Sequence, residues 1–349
     1  MPERLITYRE AVNEAMRLEM RRDPNVIVIG EDIAGGAGRA DKGIIDSWGG
    51  PFGATKGLIQ EFGPERIRDA PISEMGFFVA AVGAAMTGLR PIADLMFVDF
   101  LGVAMDAILN QAAKQRYLHA GAVSVPITMR AMVGIPPLAD PTKPGGGTAA
   151  QHSQTLYPLL VHIPGLKVVA PSNAYYAKGL MTAAIRDDDP VFVCDHKMLF
   201  AQRAAVPEEA YTWPIGKAAI AREGKDVTLA GFSYTTILCL QAAEVLAQEG
   251  IEAEVVDLLS LSPLDEDAIL TSVRKTMRLV VVEESPPRCS VARDIAAMVA
   301  DQAFDDLDAP VKTITAPHAN IPYSSALEHL YMPTPQQIVG AVHEQLGRR

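Results

Sequence analysis

The fold of this chain is organised around one stretch, which runs Asp69-Ala-Pro-Ile-Ser-Glu-Met-Gly-Phe-Phe-Val-Ala-Ala-Val-Gly-Ala-Ala-Met-Thr-Gly-Leu-Arg-Pro91. Pro71 restricts the residue before it to extended backbone, so a short strand is predicted to end there. Ser73 is a typical N-cap, and residues 75–86 carry no charge and are rich in helix-forming residues. The stretch therefore predicts a strand, a turn and a helix.

The predicted helix is apolar on all its sides, which is typical of a helix at the centre of a larger fold. It is too short to span a bilayer. Gly76, Ala80 and Ala84 lie four residues apart and so share one face of the helix. Because these residues are small, another backbone can approach that face closely.

One charged residue, Glu74, lies in the first turn of this helix. An acid at a helix start stabilises the helix dipole, and this structural role is the more common one. An ionised group is, however, rarely buried without a partner. The alternative function of Glu74 is to hold a protonated nitrogen of a ligand at a subunit boundary.

The composition is that of a globular protein with a large core. The length of 349 residues predicts about two domains. The net charge of −11 argues against non-specific binding to nucleic acids, which requires a basic face. Cys194, Cys239 and Cys289 are too far apart to form a metal-ligand pair, and they suggest no disulfide framework. With no signal-peptide or transmembrane pattern, the expected location is cytoplasmic.

Predicted strands and helices alternate along the chain, which favours parallel sheets with right-handed crossovers. We assign residues 1–196 to a first domain, 197–225 to a linker and 226–349 to a smaller second domain. The expected fold class is α/β, with two doubly wound domains. The strands are predicted at 26–29, 90–97, 125–132, 167–170, 190–194, 226–231, 254–258, 278–283 and 311–315. The helices are predicted at 7–20, 75–86, 101–118, 172–185, 235–248, 265–275, 291–302 and 335–345.

Two glycine-rich segments are candidates for functional loops. Residues 35–38 resemble a phosphate loop in composition, but no lysine-threonine pair or convincing helix follows them. Residues 134–150 are rich in proline and glycine, and an ordered loop of that length is often a lid. Residues 151–154 come directly after it and are expected to open a helix.

Polar and aromatic residues follow several predicted strands. Glu31, Glu74, Phe97 and Phe100 fall at or beyond strand ends, where open α/β sheets bind their ligands. Taken alone, the two phenylalanines are more typical of a core than of a cofactor site. His152 follows the predicted lid, where a structural and a proton-transfer role are equally consistent with its position. The sequence contains no nucleophile elbow, Walker loop or two-histidine zinc helix.

The chain resembles the beta subunits of thiamine-diphosphate-dependent 2-oxoacid dehydrogenases over nearly its whole length. Each motif alone is moderately specific, whereas the set is highly specific. The motifs that carry the resemblance are Asp69–Phe77, Ala150–Gln154, Ile163–Val169, Ala177–Leu180, Ile215–Ala218, Glu223–Val227 and Ser262–Asp265. The motifs most similar to the acetoin dehydrogenase branch are Leu156–Pro158, Arg186–Pro190, Pro287–Ser290 and Thr315–His318.

The resemblance implies a thiamine-diphosphate pyrimidine-binding domain followed by a transketolase C-terminal-like domain. It implies that Glu74 hydrogen-bonds the aminopyrimidine nitrogen of the cofactor and favours the imino tautomer, which activates the thiazolium carbon. Phe100 and Phe97 match positions beside the cofactor, and Glu31 matches an acid in the same crevice. His152 matches a histidine near the entry of the lipoyl group, where it would protonate the intermediate or the dithiolane.

The resemblance also implies a structural potassium ion. The matching residues are Ile127, Ala184, Ile185, Asp187 and Asp189. Ligation by oxygen alone suits a hard cation. Without the resemblance, the run of acids at 187–189 is typical of a solvated helix end.

One motif of the wider superfamily is absent. Binding of the diphosphate and magnesium uses a Gly-Asp-Gly segment, and the chain contains none. An alpha subunit would therefore hold the magnesium and the other half of the cofactor, in a heterotetramer of two alpha and two beta chains. The second domain would make dimer contacts and dock the lipoyl acyltransferase core.

Acetoin is the favoured substrate, and pyruvate or a branched-chain 2-oxoacid is the alternative. The segment 131–147 is longer and richer in proline than in pyruvate relatives, so we expect a substrate entrance of different shape. Two further alternatives are a scaffold subunit without activity and a single-chain transketolase-like enzyme. The presence of Glu74 and His152 argues against the first, and the missing diphosphate motif against the second.

Overall fold

The computed structural model describes residues 4–34, 49–137 and 147–347 of the chain. Residues 35–38, considered above as a phosphate loop, lie outside the described residues, as do residues 138–146 of the predicted lid. The chain forms two compact units. Unit 1 consists of Met1–Val133, Leu160–Asp195 and Leu199–Ile215, and unit 2 of Gly134–Leu159, His196–Met198 and Gly216–Arg349.

Unit 1 contains a twisted sheet whose strands follow the order β6-β7-β5-β4-β2-β3. Its β2–β3, β2–β4, β4–β5 and β6–β7 pairs are parallel. The strands of the unit are β1 (Leu5–Thr7), β2 (Val26–Glu31), β3 (Ile67–Ala70), β4 (Arg90–Phe97), β5 (Thr128–Val133), β6 (Lys167–Val169), β7 (Val191–His196) and β8 (Arg203–Ala205). Its helices are α1 (Tyr8–Arg22), α2 (Leu58–Phe62), α3 (Glu74–Met86), α4 (Leu101–Asp106), α5 (Gln115–Leu118) and α7 (Ala174–Arg186), and α6 (Tyr157–Val161) connects to unit 2.

Helix α1 begins as the sequence predicts. The Thr7 hydroxyl accepts from the Glu10 backbone N–H, and the Glu10 carboxylate accepts from the Thr7 backbone N–H at 2.7 Å. This capping box satisfies two of the N–H groups at the helix start. The apolar face of α1 is fully buried and packs against α7.

Helix α3 is less central than its composition indicates. One face is buried, with Phe77 and Phe78 among its residues, whereas Met75 and Val79 on the other face are close to half exposed. An all-apolar helix predicts burial, but it cannot distinguish the core of one chain from a surface that a second chain covers. Ser73 occupies the N-cap position, yet its hydroxyl accepts no capping hydrogen bond.

The single helix predicted at 101–118 is interrupted. Helix α4 is followed by a π-helical turn over Ala107–Ala112 and then by the short α5. The Ala113 backbone N–H donates to the carbonyl of Ile108 at 3.1 Å, five residues back. Such a turn inserts one residue into the helical repeat, so the periodicity that predicts one helix does not reveal the break.

Unit 2 contains a second sheet, in the order β14-β13-β10-β11-β9. Its strands are parallel except for β9, which pairs antiparallel with β11 at one edge. The strands of this sheet are β9 (Ala219–Arg222), β10 (Val227–Gly231), β11 (Ala253–Asp257), β13 (Leu279–Val282) and β14 (Lys312–Ile314). The short strand β12 (Ser260–Ser262) lies between β11 and α9 in the chain and is not one of them. The helices are α8 (Tyr234–Gln248), α9 (Glu266–Thr276), α10 (Val291–Gln302), α11 (Ser325–Tyr331) and α12 (Pro335–Gln345).

The order of the second sheet creates a switch point between β10 and β13. The chain leaves β10 for β11 on one side and later returns to β13 on the other. Loops diverge at such a point, beyond the carboxyl ends of the two strands. Glu283 and Glu284 come directly after β13 at this place.

The α/β fold with two wound sheets is confirmed. The predicted linker contributes an edge strand to each unit, because β8 pairs with β1 in unit 1 and β9 pairs with β11 in unit 2. The domain limits of 1–196, 197–225 and 226–349 stay a prediction.

Candidate active site

Glu74 is the first residue of α3 and is 8% exposed. The turn before it follows the carboxyl end of β3, where Ala70 pairs with Glu31 of the neighbouring β2. The sheet thus brings two carboxylates from different strands to one edge of unit 1. The pKa of Glu31 is raised by burial first, and then by the charges of Asp32 and Glu74.

These two acids form a site that favours a proton or a cation. Like charges at short range disfavour two ionised carboxylates, so a shared proton or a cationic nitrogen is stabilising there. Glu74 lies at the N-terminus of α3, where the helix dipole favours a negative charge. Carboxyl groups at this edge can hydrogen-bond to a ring nitrogen of a ligand.

Phe97 is the last residue of β4, and Phe100 ends the short helical turn that follows it. Their rings are 6.3 Å apart at 83°, and Phe97 also contacts Phe52 edge-on at 5.2 Å. Both side chains remain partly exposed. Phe52 in turn contacts Phe200 at 6.1 Å, so Phe97 extends from a packed aromatic cluster toward the surface. The two rings supply an apolar wall of the kind that borders planar ligands.

A buried ion network that was not predicted from the sequence lies beside the end of β4. Arg130 of β5 is 2% exposed and forms ion pairs with Asp94 of β4 and Asp195 of β7. The Tyr8 hydroxyl donates to Asp195 at 2.8 Å. Burial raises the pKa of Asp195, and the Arg130 guanidinium opposes that rise. One cation therefore lies between two acids at the centre of the sheet.

This network reaches the aromatic wall through the backbone. Asp94 accepts from the backbone N–H of Met96 at 3.0 Å, and Met96 has a left-handed φ of 69°. The register between β4 and β5 shifts between Asp94 and Phe97. The Asp94 carboxylate thus stabilises the kink that sets the direction of Phe97. A signal existed in the sequence, because Arg130 is a lone charge within an apolar strand.

His152 lies in unit 2, on a turn before α6 begins at Tyr157, and not at a helix start as predicted. Its side chain is partly exposed, while the next residue, Ser153, is fully buried. The structure thus brings Glu31, Glu74, Phe97 and Phe100 to one edge of unit 1 and places His152 on unit 2.

Two family models match the chain in sequence. The transketolase pyrimidine-binding domain matches residues 4–202, and the transketolase C-terminal domain matches residues 216–338. The chain is 54% identical to the acetoin:2,6-dichlorophenolindophenol oxidoreductase subunit beta of Bacillus subtilis, over 99% of this chain and 98% of the relative. It belongs to the beta-subunit family of the thiamine-diphosphate-dependent acetoin and 2-oxoacid dehydrogenases.

Other members of this beta-subunit family are also similar. The protein of the same name from Cupriavidus necator is 51% identical, over 98% of each chain. The pyruvate dehydrogenase E1 component subunit beta-1 of Arabidopsis thaliana is 43% identical, over 96% of this chain and 88% of the relative. A solved structure of a split-gene transketolase, an inactive beta4 tetramer, has the same fold, with a TM-score of 0.73 at 23% identity over 98% of each chain.

The residues at the edge of unit 1 fit the aminopyrimidine end of the cofactor on which this beta-subunit family depends. An aminopyrimidine is planar and presents a ring nitrogen that can be protonated. The buried carboxylate of Glu74 matches that nitrogen, and the rings of Phe97 and Phe100 match a planar ligand. The sequence contains no Gly-Asp-Gly segment that could bind the diphosphate end of the cofactor.

The residues matched to a potassium ion lie together in unit 1. Ala184 and Ile185 belong to the last turn of α7, where carbonyl groups form the negative end of the helix dipole. The carbonyl of Ile127, directly before β5, accepts from the Val191 backbone N–H at 3.0 Å. Asp187 and Asp189 follow α7. Carbonyl and carboxylate oxygens of this kind are suitable ligands for a hard cation such as potassium.

Protein cations already contact the same oxygens. Arg90 donates to the carbonyls of Ile185 at 2.8 Å and Asp187 at 2.5 Å. Lys167 binds both carboxylate oxygens of Asp187, at 2.8 and 2.7 Å. Each carbonyl keeps a second lone pair, so the carbonyl set fits an added ion better than the Asp187 carboxylate does.

Proposed function

We propose that this chain is the beta subunit of an acetoin dehydrogenase, which activates thiamine diphosphate for acetoin cleavage and for acyl transfer to lipoamide. The observation that carries the proposal is the buried Glu74 at the start of α3, beside Glu31. The printed names of the relatives at 54% and 51% identity support acetoin as the substrate. Pyruvate is the second candidate, because a pyruvate dehydrogenase beta subunit is 43% identical.

Each site residue has a role in this proposal. Glu74 holds the aminopyrimidine nitrogen, and Glu31 keeps a proton available to it. Phe97 and Phe100 border the cofactor and exclude water. The bound cofactor supplies a carbon nucleophile and an electron sink for the substrate carbonyl. His152 donates a proton during acyl transfer to the lipoyl group.

An alpha subunit is the proposed partner that completes the site and holds the magnesium. The outer face of α3 supports this, because it is apolar and begins at the same turn as Glu74. Ile72 is 78% exposed, and Met75, Val79 and Met86 are also exposed. A cavity of about 520 Å³ adjoins Gly76 and Ala80 on this helix. An exposed apolar surface of this kind marks a site of protein association.

The assembly proposed is a heterotetramer of two alpha and two beta chains, whose second domain, at 226–349, docks a lipoyl acyltransferase core. We place the pyrimidine-binding domain at 1–196 and the linker at 197–225. The proposed location is the cytoplasm. Among the described residues, no helix is long and apolar enough to cross a bilayer.

We expect the purified chain alone to show no turnover above the rate without protein. With its alpha partner, thiamine diphosphate and magnesium, it should oxidise acetoin in the presence of an artificial electron acceptor. The physical reason is that this chain has no Gly-Asp-Gly segment for the diphosphate. The measurement is acceptor reduction with acetoin and with pyruvate, for each chain and for the pair.

Three outcomes would contradict parts of this proposal. Turnover by the lone chain would favour a single-chain transketolase-like enzyme. Higher kcat/KM with pyruvate than with acetoin would favour the second candidate. No turnover by an assembled, cofactor-loaded pair with either substrate would favour a scaffold subunit.

The potassium ion is proposed to stabilise the end of α7. Replacing potassium with sodium at equal ionic strength should lower the thermal midpoint by about 2–4 °C, the shift that about 1 kcal/mol produces in a domain of roughly 200 residues. Asp187→Asn should reduce the difference between the two salts only in part, because the backbone carbonyls remain as ligands, whereas Asp188→Asn, on a side chain that is 70% exposed, should leave it unchanged. Equal midpoints in both salts would contradict a bound potassium ion.

A further inference from the structure

Lys197 is a buried cation whose contacts lead to the segment of His152. It follows directly after β7 and is 5% exposed. Its ammonium donates to the carbonyl of Gly134 at 2.8 Å and to the carbonyl of His152. Burying an ammonium group costs free energy unless it forms hydrogen bonds. The two carbonyls therefore stabilise the ammonium, and the ammonium in turn holds the two backbone segments in place.

The two carbonyls belong to segments that are separate in sequence but joined in space. The Gly134 backbone N–H donates to the carbonyl of Gln154 at 3.0 Å. Gly134 has a φ of 75°, and a Cβ there would lie 2.1 Å from Nε2 of His196. Only glycine therefore allows the backbone to approach the residue next to Lys197 this closely.

Neighbouring contacts hold both segments at the end of β13. The Ile135 backbone N–H donates to Glu284 at 3.2 Å, and Glu284 also pairs with the buried His196. The Ser285 hydroxyl donates to the carbonyl of Thr155 at 3.0 Å. These contacts lie at the switch point of the second sheet.

The carbonyl of His152 is itself held twice. Besides the Lys197 ammonium, the Thr148 hydroxyl donates to it at 2.9 Å. Thr148 also lies 2.5 Å from the buried hydroxyl of Ser153. The backbone N–H of Gly147 donates to the carbonyl of Tyr323 at 3.1 Å. The imidazole of His152 thus projects from a backbone whose position depends on a charged hydrogen bond.

Lys197 also interacts electrostatically with Glu328, which lies beside Gly147. Burial raises the pKa of Glu328, while the Gly147 N–H and the charges of His329 and Lys197 oppose the rise. A Cβ at Gly147 would lie 1.8 Å from a carboxylate oxygen of Glu328, so the backbone passes directly over that acid. The segment that leads from Gly147 to His152 is therefore close to Glu328 at its start and to Lys197 at its end.

We propose that Lys197 is a positioning residue for His152: its buried ammonium fixes the turn from which the imidazole delivers a proton during acyl transfer. This inference rests on the proposed role of His152. Misplacing a catalytic group by about 1 Å can cost about a hundredfold in rate. The loss of one charged hydrogen bond to the turn should therefore be measurable in acyl transfer.

The test uses the full enzyme, reconstituted with its alpha subunit and supplied with a lipoyl domain. Lys197→Met keeps the length and burial of the side chain but removes the charge. We expect it to slow reductive acylation of the lipoyl domain by at least about tenfold. Lys197→Arg, which keeps the charge, should recover the rate to within about threefold. Lys217→Met is the control, because this lysine of unit 2 is 60% exposed.

Two readouts separate positioning from general stability. His152→Asn combined with Lys197→Met should be no slower than His152→Asn alone, because both changes disable the same group. In the Lys197→Met enzyme, backbone amide hydrogen exchange should be faster in peptides that cover residues 134–137 and 147–156. Two results would overturn the inference. The first is a double variant that acylates the lipoyl domain more slowly than His152→Asn alone. The second is a Lys197→Met enzyme whose hydrogen exchange and acylation rate both equal those of the wild type.

The two proposals can fail separately. If His152→Asn acylates the lipoyl domain at the wild-type rate, the catalytic role of His152 is wrong, and with it the positioning role of Lys197 in this reaction. Faster exchange in Lys197→Met would then still show that the ammonium holds the turn. If His152→Asn is slow while Lys197→Met matches the wild type in rate and exchange, only the inference about Lys197 is wrong.

Discussion

Glu74→Gln is expected to lower acetoin oxidation by the reconstituted enzyme about a thousandfold, within the range that general acid–base groups contribute. Glutamine keeps the size of the side chain and a hydrogen bond to the ring nitrogen. It cannot accept the proton or provide the negative charge that stabilises a protonated nitrogen. Because Glu74 lies in a buried first turn beside Glu31, no solvent molecule can fully replace that charge. The measurement is kcat with saturating thiamine diphosphate.

A matched control separates activation from assembly. Glu65→Gln changes a carboxylate whose side chain is 92% exposed in the same unit, and it should leave kcat unaltered. The Glu74→Gln enzyme should elute as the same oligomer as the wild type and retain bound cofactor in stoichiometric amount. Full turnover by the assembled variant would mean that Glu74 complements the helix dipole and nothing more.

The sequence predicted Glu74 because a single carboxylate interrupts an apolar helix, and burial of such a group requires a partner. Its neighbour Glu31 was predicted from its place at a strand end. The proximity of the two acids depends on the parallel pairing of β2 with β3, which brings Glu31 opposite Ala70. Strand order of this kind is a tertiary property, so a pattern read along one chain did not reveal it.

Other features were missed for different physical reasons. Lys197 donates its hydrogen bonds to backbone carbonyls. Because every residue has a backbone carbonyl, no pattern of side chains in the sequence identifies these partners. The outer face of α3 is apolar like its buried face, so the hydrophobicity of the sequence could not show which side of the helix is exposed. The turn of His152 was assigned to a helix start, whereas α6 begins only at Tyr157.

Arg130→Met is expected to lower the free energy of unfolding by about 3–5 kcal/mol, the usual cost of removing one partner from a buried ion network. The change leaves the acids Asp94 and Asp195 near each other without a cation, although methionine fills much of the space. The measurement is thermal or urea unfolding of the purified chain. Arg21→Met, on a side chain that is 58% exposed, is the control and should change the value by less than about 0.5 kcal/mol.

The origin of this loss can be tested by removing the second charge and by lowering the pH. Asp195→Asn in the Arg130→Met background should recover part of the loss, because it removes one of the two uncompensated buried charges and the repulsion between them. Burial already raises the pKa of Asp195 in the folded protein, and the loss of Arg130 should raise it further. The folded variant then binds more protons than the unfolded chain, so its stability rises as the pH falls from neutral toward the pKa of unfolded aspartate. A deficit that is equal at pH 7.5 and pH 5, or that the second substitution worsens, would mean that lost packing and not unpaired charge destabilises the variant.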